Sequence, residues 1–139
     1  MKVKPIVYFL ILIGLVSLLS GCSGKESKPD KEEDLEFRVL EDAEVPDKLM
    51  EEINEKKSQP FKITYTDEDQ EYLYIAVGYG EKPTGGYSIS VDELYLAKNL
   101  IYLDTNLIGS SEEEFVSNAV TYPYVVIRTE YIDKRVLFD

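Results

Sequence analysis

The chain has no histidine, no tryptophan and a single cysteine in 139 residues. Without histidine, Ser-His and Cys-His nucleophilic pairs are excluded, and the commonest zinc ligand is missing. One cysteine closes no intramolecular disulfide and builds no thiolate metal site. Proton transfer would fall to carboxylates, lysine or tyrosine, and their sequence spacing defines no cleft of the kind a carboxylate pair needs. Ser88 and Ser90 have no histidine to activate them. The chain therefore reads as a non-enzyme, with no catalytic residues, no metal ligands and no cofactor. Basic residues are also few: 15 Lys and Arg stand against 27 Asp and Glu, a formal charge of −12. That balance argues against nucleic acid as a partner, since such affinity comes from Lys and Arg on phosphates.

Long apolar runs are scarce as well. The single one extends from Ile6 to Leu19 and is broken only by Gly14 and Ser17. At about fourteen residues it is shorter than the roughly 20 that cross a bilayer. Lys2 and Lys4 precede it, giving the charged and apolar regions of a signal peptide. Leu19-Ser20-Gly21-Cys22 follows and resembles the lipobox of bacterial lipoproteins, in which the cysteine is lipidated. The resemblance implies a signal peptide over residues 1–21 and a lipid anchor at Cys22, on the extracytoplasmic side of a bacterial membrane. A lipidated Cys22 is no nucleophile. Taking residues 1–21 from 139 leaves 118, one domain of ordinary size. Loss of Lys2 and Lys4 takes the charge from −12 to −14. Residues 23–34 contain no apolar side chain, so 22–34 is expected to be a flexible tether and 35–139 a single folded domain.

Within that domain the hydrophobic period changes from helix to strand. A short strand is expected through Phe37, Val39 and Leu40. Pro46, the 3–4 spacing of Leu49, Met50 and Ile53, and the Glu52–Lys56 pair predict an amphipathic helix over 46–57. From Phe61 the period is two, with Phe61, Ile63 and Tyr65 on one face. The nearly continuous apolar stretch Tyr72–Val77 predicts a central strand over 71–79. Further strands are expected over 87–96, 100–104, 124–129 and 135–138. Ser111 and Glu114 have capping-box spacing, which reads equally as a short helix or a polar crossover. Asp67, Glu68, Asp69 and Glu71 read as a solvated turn, because Tyr72 stands where a calcium loop needs glycine. The fold class is α+β: a mainly antiparallel sheet, curled or a small sandwich, with one main helix.

The loop Gly80-Glu81-Lys82-Pro83-Thr84-Gly85-Gly86-Tyr87 joins the two strongest strands. Pro83 fixes one φ angle, while Gly85 and Gly86 permit tight turning. Gly80 and Gly85 have phosphate-loop spacing, but Gly86 and Tyr87 replace the Lys and Ser/Thr that such a loop needs. The stretch 72–89, with Pro83-Thr84-Gly85-Gly86-Tyr87 at its core, resembles the PrcB C-terminal family of protease-complex accessory lipoproteins. The block Thr121-Tyr122-Pro123-Tyr124-Val125-Val126-Ile127-Arg128 resembles it too. The family places a Pro-rich crossover between the blocks, whereas residues 105–120 here contain no proline. The resemblance implies a non-enzymatic domain that assembles with or supports a secreted peptidase. The restrained loop beside tyrosines is read as the binding surface: Gly80, Pro83, Thr84, Gly85, Gly86 and Tyr87 form the loop, with Tyr122, Pro123 and Tyr124 beside it. Pro83–Tyr87 is also similar to the Pro-Thr-Thr-Gly-aromatic loop of chagasin-like cysteine-peptidase inhibitors, with Gly85 replacing the second threonine. A third alternative is an envelope structural protein whose loop only closes a hairpin.

Overall fold

The computed structural model describes residues 27–110 and 117–139. Its strands are β1 (Glu33–Asp34), β2 (Arg38–Val39), β3 (Pro60–Thr66), β4 (Tyr72–Tyr79), β5 (Ser88–Leu96), β6 (Leu100–Ile108), β7 (Tyr124–Glu130) and β8 (Arg135–Phe138). Helix α1 (Asp47–Lys56) lies between β2 and β3, after a single 3-10 turn at Asp42–Glu44. The strands form two four-stranded sheets, ordered β1-β5-β6-β8 and β2-β7-β4-β3. Every pairing is antiparallel except β6 with β8. The fold is therefore the expected α+β sandwich with one main helix.

Strand β4 organises the second sheet. Leu73, Ile75 and Val77 point into the space between the sheets, against Leu94, Ile101, Leu103, Val125 and Ile127. Tyr74 and Ala76 point the other way, into a cluster with Leu49 and Ile53 of α1 and Phe61 and Ile63 of β3. Both faces are apolar because both are covered, which explains the run that replaces alternation. Helix α1 begins after Pro46, whose φ of −53° suits helix entry. Its stripe of Leu49 and Ile53 is fully buried, and Lys56 pairs with Glu52 at 2.7 Å. The exposed ion pair contributes about 0.3–0.5 kcal/mol, far less than the roughly 1.5–3 kcal/mol of each buried aliphatic side chain.

The first sheet departs from simple alternation. Ile89 and Val91 face the sandwich core, a bulge falls between Val91 and Glu93, and Leu94 and Leu96 then face inward. The extra residue switches the inward-facing parity. Strand β6 runs to Ile108, four residues past the expected end, because its outer half pairs with β5 from Ser88 to Val91.

One boundary needs correction. The tether was expected to reach Asp34, yet Glu33 and Asp34 pair with Leu96 and Tyr95 of β5, and the Glu32 N–H donates to Leu96 O at 2.8 Å. Residues 28–34 thus form a strap on the first sheet. Lys28 Nζ sits 2.9 Å from Glu93 and 5.7 Å from the Tyr102 ring centre, and the Tyr95 hydroxyl donates to Pro29 O at 2.7 Å. The Glu93 carboxylate raises the Lys28 pKa above the ordinary lysine value. Polar residues dock here through backbone bonds and contacts over aromatic faces, neither of which needs an apolar side chain. The short strand expected through Phe37, Val39 and Leu40 is β2, in the second sheet, and residues 35–37 lead to it from β1 in the first. Ser111–Glu114 and Cys22 lie outside the described residues.

Gly78 of β4 faces the Phe61 ring so closely that an added Cβ would overlap it. Gly78→Ala is expected to displace Phe61 and destabilise the domain by about 1–3 kcal/mol. Urea unfolding of the variant measures this, and an unchanged midpoint would contradict the packing described.

Candidate functional site

The 80–87 segment starts where β4 ends, and β4 and β5 belong to different sheets. It is a crossing between sheets, so the hairpin expected in the structural-protein alternative does not exist. The path follows from what holds β4 to β7. Gly78 pairs with Tyr124, the Tyr79 N–H donates to Pro123 O at 3.0 Å, and pairing resumes at Lys82 with Thr121. One extra residue lies on the β4 side of this interval. It is accommodated at Gly80, which has φ of +79° and packs against Pro60. Only glycine takes that conformation without strain.

Beyond Gly80 the two segments form a cross-linked ribbon. Lys82 and Thr121 exchange backbone bonds of 2.8 and 2.9 Å, and the Gly85 N–H donates to Ser117 O at 2.8 Å. The Thr121 hydroxyl donates to Thr84 O at 2.6 Å. Thr84 and Gly85 are thereby half-buried, while Pro83 and Gly86 are exposed. Gly86, with φ of +84°, turns the chain into β5. The two sequence blocks, 39 residues apart at Lys82 and Thr121, are thus brought into register by main-chain bonds.

The expected aromatic surface divides. Tyr122 lies beside the ribbon: its hydroxyl is 3.4 Å from Glu81 Oε1, and Lys57 Nζ is 5.4 Å from its ring centre. Tyr87 is half-buried at the start of β5 and lies near Gly109, whose added Cβ would sit 3.9 Å from the ring. Pro123 contributes its carbonyl to Tyr79. Tyr124 does not join the ribbon surface. It points toward α1, packs on the helix-side cluster and donates to Asp42 Oδ1 at 2.7 Å. Alternation along β7 explains this, because Val125 and Ile127 take the sandwich side and leave Tyr124 and Val126 to the helix side.

The structure adds two residues that the sequence did not single out. Ile108 and Val120 are 46% and 51% exposed, and both lie at the end of the sandwich that carries the ribbon. Ile108 closes the unexpected outer half of β6, and Val120 immediately precedes Thr121. Among the described residues, no group of three or more Asp, Glu or Cys side chains is placed to hold a metal ion. What the arrangement offers is a restrained backbone loop with apolar side chains at its margin, suited to recognition of a surface.

Residues 73–130 match the PrcB C-terminal family, which supports the resemblance read from the two sequence blocks. The matched span contains β4, the ribbon, β5, β6 and β7, and it omits the strap, α1 and β8. It associates the domain with an accessory role in a protease complex, and so with a protein partner. No curated protein and no solved structure matches the chain.

Two outcomes follow. Thr121→Val removes the bond to Thr84 O at nearly constant shape, and is expected to cost about 0.5–1.5 kcal/mol locally. Amide exchange should then quicken at Lys82 and Gly85, with β4 unchanged. For Tyr124, burial first and the bond to Asp42 second leave the phenol pushed up to about 12 from its ordinary 10.0. The folded state therefore holds this proton more tightly. The associated stability is complete below about 10 and is lost as pH rises through about 12. Burial also raises Tyr95 and Tyr102, so ultraviolet titration should show a late-ionising group of tyrosines whose amplitude Tyr124→Phe lowers by one.

Proposed function

We propose, from the PrcB C-terminal match over residues 73–130, that the protein is a lipid-anchored extracytoplasmic accessory subunit of a secreted peptidase. In this reading Cys22 carries the lipid and the domain itself performs no catalysis. The ribbon at residues 80–87 and 117–123 is the docking element.

The carrying observation is the restraint of that ribbon. Four hydrogen bonds tie Lys82, Thr84 and Gly85 to Ser117 and Thr121, so the loop is ordered before it meets a partner. Ordering an interface side chain costs about 0.5–1.5 kcal/mol on association, and a preformed loop avoids much of that cost. Tyr87 and Tyr122 supply the aromatic contacts in which binding energy concentrates, and Ile108 and Val120 add aliphatic area around them.

The same restraint supports one competing role, direct inhibition of a papain-like peptidase by insertion of Pro83 and Thr84 into its cleft. Pro83 stands exposed at the loop, as such insertion requires. An accessory subunit leaves turnover intact or raises it, whereas an inhibitor slows turnover at stoichiometric concentration.

The test is crosslinking in native membranes, capture of the full chain and mass spectrometry of what accompanies it, followed by assay of any peptidase recovered. A secreted peptidase is expected, with its complex weakened about tenfold or more by Tyr87→Ala with Tyr122→Ala. Full-strength binding by that double variant would rule out the ribbon surface, and a reproducible catch without a peptidase would rule out the accessory role.

A further inference from the structure

The strap changes how far the domain can stand from its anchor. With a free tether through Asp34, thirteen Cα steps would separate Cys22 from Leu35, a reach of up to about 45 Å. Docking of residues 28–34 leaves five Cα steps between Cys22 and Ser27, a reach of at most about 18 Å.

The strap also determines the direction of approach. From β1 it passes the end of β5 at Leu96 and turns back over the outer face of the first sheet. There Tyr95 and Tyr102 stack with ring centres 4.7 Å apart. Lys31 lies 5.3 Å from the Tyr95 ring centre, and Lys28 reaches Glu93 at 2.9 Å and Asp104 at 3.7 Å. Ser27 then lines a crevice with Tyr102, Leu137 and Asp139. Leu137 is an exposed aliphatic on that same face, beside Tyr102 in the β6–β8 register. The chain leading to the anchor therefore leaves from the middle of the outer face, at the level of Asp104. The ribbon lies further along, past Ile108, roughly 13 Å of strand away.

We propose that the outer face of the first sheet, around Tyr102 and Leu137, is the surface turned to the lipid bilayer, with the strap holding it there. The inference rests on lipidation at Cys22 and deepens that reading by assigning the membrane-facing side. The length of chain outside the described domain and the point where it ends carry the argument. Glu93, Asp104 and Asp139 on this face disfavour insertion among anionic headgroups, so the face lies against the bilayer and the acyl chains supply the attachment. A partner bound at the ribbon is then met close to the membrane surface.

The experiment uses the full chain, processed and lipidated, reconstituted into phosphatidylcholine–phosphatidylglycerol vesicles that carry a fluorescent acceptor lipid. Cys22 is the only native cysteine, so once it is lipidated a cysteine placed by Leu137→Cys or by Pro83→Cys can be labelled alone. Transfer to the acceptor lipid is expected to be severalfold stronger from position 137 than from position 83. Equal transfer, or stronger transfer from 83, overturns the proposal. The strap is read separately by amide exchange in the same vesicles, where the Glu32 and Leu35 N–H groups, bonded to Leu96 O and Leu94 O, should be protected like β5. Rapid exchange at both overturns the proposal while leaving the anchor reading intact. Recovery of the chain in the aqueous phase of a detergent partition, with both amides still protected, identifies the anchor reading as the one that failed and removes the membrane face with it.

Discussion

Burial of β4 on both sides is the constraint from which the architecture follows. A strand whose odd and even side chains are both apolar must be covered twice, and here the first sheet covers Leu73, Ile75 and Val77 while α1 covers the side of Tyr74 and Ala76. Its neighbours β3 and β7 are held on either edge by full ladders. Gly78 admits the Phe61 ring near the end of the strand, and Gly80 gives β4 its bulged exit. The ribbon is thus the continuation of the most constrained strand in the molecule. Its order comes from the core as much as from its own hydrogen bonds.

Sequence pattern conveyed the elements better than their assembly. The helix was legible in Leu49 and Ile53, and the central strand in Tyr72–Val77, because both reflect burial of neighbouring residues. Sheet membership was not legible. Along the chain β4 and β5 are consecutive strands around a Pro- and Gly-containing loop, which is also how a hairpin reads, yet they lie in opposite sheets. A local pattern records which residues are covered and not which sheet covers them. The bulge at Asp92 escaped for a related reason, since Ile89, Val91, Leu94 and Leu96 satisfy no single period of two.

For the site, the Pro83–Tyr87 loop and the Tyr122–Tyr124 segment were expected to share a surface, but the way they are joined was not legible. Their link is main-chain pairing at Lys82 and Thr121, and backbone groups are present at every residue, so composition does not flag them. Half-buried Tyr124 is set apart from the ribbon because its place on β7 sends it to the helix side, where Asp42 is its partner. The strap was hidden in the same way. Ser27 to Asp34 has the composition of a solvated linker, and its attachment through Pro29 O, the Glu32 N–H and lysines over tyrosine rings leaves no hydrophobic trace.

Tyr102 has a role beyond packing, because both ends of the folded domain are fastened to it. Lys28 lies over its ring, its hydroxyl donates to the Asp139 carboxylate, and the Asp139 N–H is bonded to Leu103 O at 2.9 Å. The chain enters and leaves at one spot on one face. A fold with adjoining ends can be inserted into the surface loop of a host protein, or circularly permuted by a short linker, with little loop-closure entropy to overcome. The domain is in this sense a portable module, whose two connections share a side and leave the ribbon end of the sandwich unencumbered.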